Sequence, residues 1–245
     1  MMPIRITVTN SAGSAPRDAG AQMLVWPDRI EGTIGGGALE WDAMAKARRM
    51  LAEGQSQHRE TIPLGPALGQ CCGGSVTLVW ELAAALDAPA RRPLWIYGAG
   101  HVGRAIVHVM QPLPDFAITW VDVAADRFPQ TDATTLVAVD PVQAVPHAPD
   151  DAAHLILTYS HVIDLALCHA ILSRSFGSIG LIGSATKRAR FRSRLAALGH
   201  SPAQIARIAC PIGDTSLGKH PAALALGVAA AMIRPQGRQN RESRA

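Results

Sequence analysis

Leu94-Trp95-Ile96-Tyr97-Gly98-Ala99-Gly100-His101-Val102-Gly103 is an apolar run that passes into Gly-x-Gly-x-x-Gly. Four apolar residues behind Pro93 predict a buried parallel strand, and Val102, Ala105, Ile106 and Val109 carry helical spacing into the segment that follows. The expected unit is strand, tight turn, helix. In such a unit Gly98 permits the turn, Gly100 lets a phosphate approach the backbone, and Gly103 lets helix and strand pack closely, with His101 among the candidate cofactor contacts. A second strand, Ala117 to Val121, ends in Asp122, where a unit of this kind needs a carboxylate for a ribose hydroxyl. A strand before, a helix after and an acid at the next strand end favour a Rossmann reading over a plain helix-packing turn.

Working outward, the second half alternates strand and helix in the doubly wound manner. Thr135 to Val139, Leu155 to Tyr159 and Ile179 to Ile182 read as strands, and a helix is expected from Asp164 to Leu172 after Ser160-His161. Gly183-Ser184 then precedes Lys187, Arg188, Arg190, Arg192 and Arg194, a basic run near a helix N-terminus. Cations there oppose the helix dipole, a cost that an anionic ligand or an acidic partner relieves; a solvated basic helix is the plainer explanation. In an open parallel sheet, ligands bind at the carboxyl ends of the strands. Gly98 to Gly103, Asp122, Ser160, His161, Gly183, Ser184 and Pro211-Ile212-Gly213 all follow expected strands or short strand candidates, which groups them at one edge.

The first half differs. Ile4 to Thr9 alternates apolar and polar residues like a half-exposed strand, Asn10 to Pro16 is a turn cluster, and Gln22 to Trp26 is a second strand closed by Pro27-Asp28. Gly35, Gly36 and Gly37 then open a strong helix former, Ala38 to Ala47, and leave backbone N–H groups free to approach an anion or simply let the chain reverse. Gly69-Gln70-Cys71-Cys72-Gly73-Gly74 precedes a strand from Ser75 to Trp80. Adjacent cysteines rarely share one tetrahedral metal, and no second ligand pair lies at Cys-x-x-Cys spacing, so zinc is disfavoured. A thiol among free amides suits nucleophilic or sulfur-ligand chemistry, against the bland alternative of a small buried hydrophobe. Asp87 to Pro93, with proline at two places and no periodicity, reads as a linker. The expected architecture is α/β: a smaller N-terminal α+β domain over residues 1–86 carrying the Gly-rich and Gly-Gln-Cys-Cys-Gly-Gly loops, a Rossmann-like doubly wound parallel sheet over 93–233, and a disordered basic tail over 234–245.

Composition bounds the rest. The chain has 245 residues, 48% of them hydrophobic and 17% charged, which supplies a core. Aromatic residues make up only 4%, too few for the stacking platforms that single-stranded nucleic acid requires. The net charge is +4, but Arg234, Arg238, Arg241 and Arg244 against Glu242 supply +3 of it from the tail, so no nucleic-acid surface is expected on the body. Four cysteines, no signal peptide and no apolar run longer than Ala222 to Ile233, a buried helix rather than a spanning one, point to a reducing, cytoplasmic setting without membrane contact. There is no nucleophile elbow with a Ser/His/Asp order and no two-metal carboxylate cluster.

Gly13-Ser-Ala-Pro-Arg17, Gly20 to Val25, Gly32 to Glu40, Gly69 to Gly74, Gly98 to Gly103, Ile182-Gly-Ser184 with the basic run, and Pro211-Ile-Gly213 followed by Gly218-Lys-His-Pro221 occur together in this order. This set resembles the xanthine dehydrogenase accessory proteins, the XdhC family, over about residues 5 to 233. The resemblance implies a two-domain, non-catalytic protein that binds the molybdenum cofactor (molybdopterin) transiently, protects it during sulfuration and inserts it into apo xanthine dehydrogenase. Implied partners are xanthine dehydrogenase, a cysteine desulfurase and a second copy of the chain in a homodimer. The chain departs from the family pattern in lacking most of the helix expected before its first strand, which leaves contacts made by that helix in question. A carrier of this cofactor needs anion cradles and a soft contact near the metal. Gly35 to Gly37 or Gly98 to Gly103 could hold phosphate, and Cys71 or Cys72, beside Gln70, could face molybdenum or the incoming sulfur. The rival reading is an NAD(P)-dependent oxidoreductase using Gly98 to Gly103 and Asp122, although no Tyr/Lys pair or obvious proton donor accompanies them. A third is a structural adaptor that binds neither nucleotide nor pterin.

Overall fold

The computed structural model describes residues 2–65, 73–88 and 91–234. Gln70, Cys71 and Cys72, the centre of the expected linker and the basic tail from residue 235 onward lie outside the described residues. The chain divides into two units, Met1–Ala88 and Pro89–Ala245.

The first unit is a five-stranded antiparallel sheet with one helix. Its strands are β1 (Ile4–Ala12), β2 (Gln22–Val25), β3 (Ile30–Gly32), β4 (Gln57–Pro63) and β5 (Ser75–Leu82), in the order β3-β2-β1-β5-β4, and α1 spans Gly37–Glu53. Ile4, Ile6 and Val8 of β1 are buried while Arg5 and Thr7 are only partly so, the alternation a one-faced sheet requires. Leu39, Ala43, Ala47 and Met50 form the apolar stripe of α1, and Trp80 Nε1 donates to the Ala43 carbonyl at 3.1 Å, fixing helix on sheet. β1 outruns its expected end: after a register shift between Val8 and Asn10, the backbone of Asn10, Ser11 and Ala12 stays paired with Thr77, Val76 and Ser75. The polar side chains that suggest a turn are here carried on a paired strand. β4 is an edge strand whose one apolar side chain packed on the core is Ile62, and so it lacks the apolar alternation by which strands are read.

The second unit is a six-stranded sheet, all its pairings parallel. β6 (Arg92–Tyr97), β7 (Phe116–Asp122), β8 (Thr134–Val137), β9 (Ala153–Ile156), β10 (Ser178–Leu181) and β11 (Ile208–Ala209) lie in the order β11-β10-β9-β6-β7-β8. The chain winds outward from β6 to β8, returns beside β6 as β9, and winds outward the other way, so the topological switch falls between β6 and β9. The helices are α2 (His101–Met110), α3 (His161–Leu172), α4 (Ala185–Ala197), α5 (Pro202–Ala206) and α6 (Pro221–Ile233). β6 is apolar from Leu94 to Tyr97 because both of its faces are covered there. Leu94 and Ile96 join the core containing Ile106 of α2 and Val228 of α6, while Trp95 and Tyr97 join the core containing Leu167 and Ile171 of α3.

Several expected boundaries move. β9 stops at Ile156 rather than Tyr159: Leu157 N still donates to the Tyr97 carbonyl of β6 at 2.9 Å, but Thr158 N turns to Asp164 Oδ1 at 3.2 Å. α3 starts at His161, three residues early, because the Ser160 side chain accepts from Val162 N and Ile163 N and caps it. β8 ends at Val137, leaving Val139 exposed. The segment expected to be a buried helix, α6, buries Ala225, Val228 and Ala229 but leaves Leu226 exposed on its outer side. Among the described residues no helix is long and apolar enough to cross a membrane.

Candidate functional site

The turn from β6 into α2 is built by its glycines. Gly98 has φ +115°, and a Cβ on it would lie 2.6 Å from the Leu157 carbonyl oxygen, where the β6 and β9 ends converge. A Cβ on Gly103 would lie 2.0 Å from the Gly98 oxygen, whereas one on Gly100 would meet nothing within 4 Å. Gly98 and Gly103 therefore serve close packing, and Gly100 leaves the backbone open at the N-cap of α2. The Asp122 carboxylate, expected at a ribose hydroxyl, is buried at the end of β7. It accepts from Ala99 N and from Val123 N, the latter at 2.7 Å, and Arg127 Nε lies 2.9 Å from its Oδ1. It thus ties β7 to the glycine turn. The cavity beside Gly98, Gly100 and Asp122 measures about 20 Å³, room for about one water. His101 is exposed on the first turn of α2 and does not line that cavity.

A larger cleft of about 400 Å³ opens beyond the ends of β9 and β10. His161, Gly183 and Ser184 line it, joined by Arg190 and Arg194 of α4 and by Tyr159. Thr158 and Tyr159 line both the cleft and the small cavity, so the two are contiguous along the carboxyl edge of the sheet. Tyr159 is 72% exposed between them. Ser184 caps α4, its Oγ accepting from Lys187 N at 3.3 Å, and Ser160 caps α3 without lining the cleft.

The basic run does not act as one block. Residues two apart on a helix point about 200° apart, so Arg190 and Arg194 face the cleft while Arg188 and Arg192 face away from it. Lys187 turns inward: its Nζ donates to Asp164 Oδ2 at 2.5 Å and to the Ile182 carbonyl at 2.8 Å. Asp164 Oδ1 accepts from Thr158 Oγ1 at 2.6 Å. This buried pair neutralises Lys187 internally and joins the end of β9 to α3 and α4. Arg190 and Arg194 form no salt bridge among the described residues, so the cleft carries uncompensated positive charge beside the N-terminus of α4. Sequence spacing had a signal for the pair: Asp164 lies on the buried stripe of Leu167, Cys168 and Ile171, and Lys187 on that of Phe191 and Leu195. A charge on each of two apolar stripes points to a buried partner.

Gly35, Gly36 and Gly37 belong to the first unit. The Glu40 carboxylate Oε2 accepts from Thr33 Oγ1 at 2.5 Å, Ile34 N at 2.9 Å and Gly36 N at 3.1 Å, so the anion held by these amides is the chain's own. Burial works to raise the Glu40 pKa, but the hydrogen bonds from Thr33 and from the Gly36, Ile34 and Gly35 amides outweigh it and hold the carboxyl below its ordinary range. Gln70, Cys71 and Cys72 lie outside the described residues; on either side of them Leu64 N donates to the Gly74 carbonyl at 2.7 Å. The described cysteines are not candidates for thiolate chemistry, since burial pushes the Cys168 thiol up to about 12 and raises that of Cys210. Among the described residues there is no cluster of three or more His, Cys, Asp or Glu able to hold a metal ion.

Fold and site together define a Rossmann-domain protein with a cationic cleft at the carboxyl edge of its sheet. Residues 94–232 match the XdhC Rossmann domain, and residues 4–62 match the XdhC and CoxI family; the chain belongs to the XdhC family. It is 29% identical over 240 residues to the uncharacterized protein YqeB of Escherichia coli strain K12, covering 92% of this chain and 42% of that one, so it spans less than half the length of this relative. A crystal structure titled as a xanthine dehydrogenase from Bacillus halodurans has the same fold, with a TM-score of 0.79 at 19% identity over 98% of this chain and 94% of that one.

Proposed function

We propose that this chain is an accessory protein of xanthine dehydrogenase that holds the molybdenum cofactor during maturation of the enzyme. The observation that carries the reading is the cationic cleft of about 400 Å³ at the ends of β9 and β10, on the Rossmann unit of an XdhC-family chain. The cofactor is a flat pterin with a phosphate and a dithiolene-bound metal, and the residues present fit it. Arg190 and Arg194 offer charge to the phosphate, Tyr159 offers an exposed aromatic surface to the pterin, and the volume falls in the range of about 300–1,000 Å³ usual for small-molecule sites. Cys71 or Cys72 is the soft group assigned to the metal or incoming sulfur, on the strength of the family pattern and of its glycine-flanked loop. When bound, the cofactor supplies the molybdenum centre and its sulfido ligand; the chain binds it, shields it from water and releases it to the enzyme. A cysteine desulfurase, xanthine dehydrogenase and a second copy of the chain are the partners this role calls for, in the cytoplasm.

The test is reconstitution of apo xanthine dehydrogenase by chain purified from cofactor-producing cells. Wild type should restore activity, and Arg190→Ala/Arg194→Ala and Cys71→Ala/Cys72→Ala should each transfer less. Equal transfer by all three proteins, or none by wild type, overturns the assignment. Tight NAD(H) binding without pterin would favour the oxidoreductase reading instead.

A further inference from the structure

The face of α4 turned away from the cleft has its own cavity. A groove of about 1,000 Å³ runs between α4 and α5 and reaches β11, the edge strand of the sheet. Its floor is apolar, formed by Phe191, Leu195, Ile205 and Ile208. Ala185, Ala189 and Ala196 line the α4 side together with the two long side chains of Arg188 and Arg192. Arg188 and Arg192, one turn apart and both exposed, stand at the rim, and no Asp or Glu lines the groove. Neither arginine is in a salt bridge among the described residues, so the charge at the groove is not compensated within the chain.

We propose that this groove receives an acidic amphipathic helix of a partner protein. Its apolar face would cover the floor, and its carboxylates would meet Arg188 and Arg192, in the helix-in-groove manner. Charge decides the occupant. A second copy of this chain offers no suited segment among its described helices: α1 mixes Glu40 and Asp42 with Lys46, Arg48 and Arg49, the one acid of α3, Asp164, is buried in its own ion pair, α4 is basic, and α2, α5 and α6 carry no acid. α4 then works on both sides, with one pair of arginines in the cleft and the other on the partner. The inference does not depend on what the cleft binds.

The test uses the full chain and two synthetic helical peptides of about 15 residues, the length that matches α4 at about 1.5 Å per residue. Both carry Leu at i, i+3, i+4 and i+7; one has Glu at the remaining positions and the other Lys. Wild type should bind the Glu peptide and not the Lys peptide by calorimetry. Arg188→Glu/Arg192→Glu should weaken Glu-peptide binding at least about tenfold and gain binding of the Lys peptide, while Arg190→Glu/Arg194→Glu should keep Glu-peptide binding within about threefold. All four arginines are exposed, so the variants should melt as wild type does. Ala189→Trp, which fills the groove without altering charge, should also abolish binding. Failure of wild type to bind the Glu peptide overturns the proposal, as does equal binding by the Arg188/Arg192 variant. No cofactor enters the assay, so loss of pterin binding with intact peptide binding would sink only the cofactor assignment.

Discussion

Lys187 Nζ lies 2.5 Å from Asp164 Oδ2 in an ion pair buried between α3 and α4, with the Asp164 side chain wholly inaccessible. The pair sits beneath the cleft and sets the positions of the two helix N-termini that open on it. Removing one partner strands the other charge. Asp164→Leu or Lys187→Met alone should destabilise the chain by about 3–5 kcal/mol in urea unfolding, whereas the double variant should recover most of the loss. Equal damage from the double and single variants would show that the residues contribute by packing rather than as a pair.

His154 is fully buried on β9, with Nδ1 3.2 Å from Tyr97 Oη and with Nε2 unpartnered among the described residues. Burial, with Arg174 nearby, pushes its pKa down to about 4 from an ordinary 6.5. The unfolded chain therefore binds the proton first: stability is full above pH 6.5 and falls as the pH drops toward about 4. At about 1.4 kcal/mol per pH unit, the loss across that window is roughly 3 kcal/mol. His154→Leu should flatten the stability profile there, with a pH-independent cost of about 1–3 kcal/mol from the buried Tyr97 hydroxyl left without its partner, which urea titrations at several pH values would detect.

Glu40 gives a second acid dependence, at lower pH. Its carboxyl is held below the ordinary 4.5, so its contribution is present above that value and lost as the pH falls through the folded value. Glu40→Gln should cost about 1–2 kcal/mol at neutral pH, with the difference from wild type shrinking below pH 4.5. An unchanged melting temperature at neutral pH would mean that the loop amides are satisfied without it.

The glycine turn separates packing from ligand approach. Gly103→Ala forces a Cβ into the Gly98 carbonyl and should cost at least about 2 kcal/mol. Gly100→Ala meets open space and should stay within about 1 kcal/mol of wild type in stability, so any loss of ligand binding in that variant reports on the site itself.

The parallel sheet was legible because β6, β7 and the glycine turn carry strong local patterns, an apolar run covered on both faces and a Gly spacing set by close contacts. β4 was not, because a polar edge strand is held by backbone pairing that leaves no mark on side-chain spacing. In the candidate site, His161, Gly183 and Ser184 were readable as residues that follow strands. The division of the arginines was not, because it depends on which face of α4 packs against the sheet. The Asp164–Lys187 pair was legible only in part, since the spacing places each charge on a buried apolar stripe but does not say which opposite charge it meets.

The cleft as cofactor site is tested most directly by the pterin and molybdenum content of the chain purified from cells that make the cofactor. Wild type and Arg188→Ala/Arg192→Ala should carry near-stoichiometric pterin, and Arg190→Ala/Arg194→Ala at least about tenfold less, a loss of about 1.4 kcal/mol or more in binding. No pterin in wild type, or full retention when Arg190 and Arg194 are removed, would contradict the assignment.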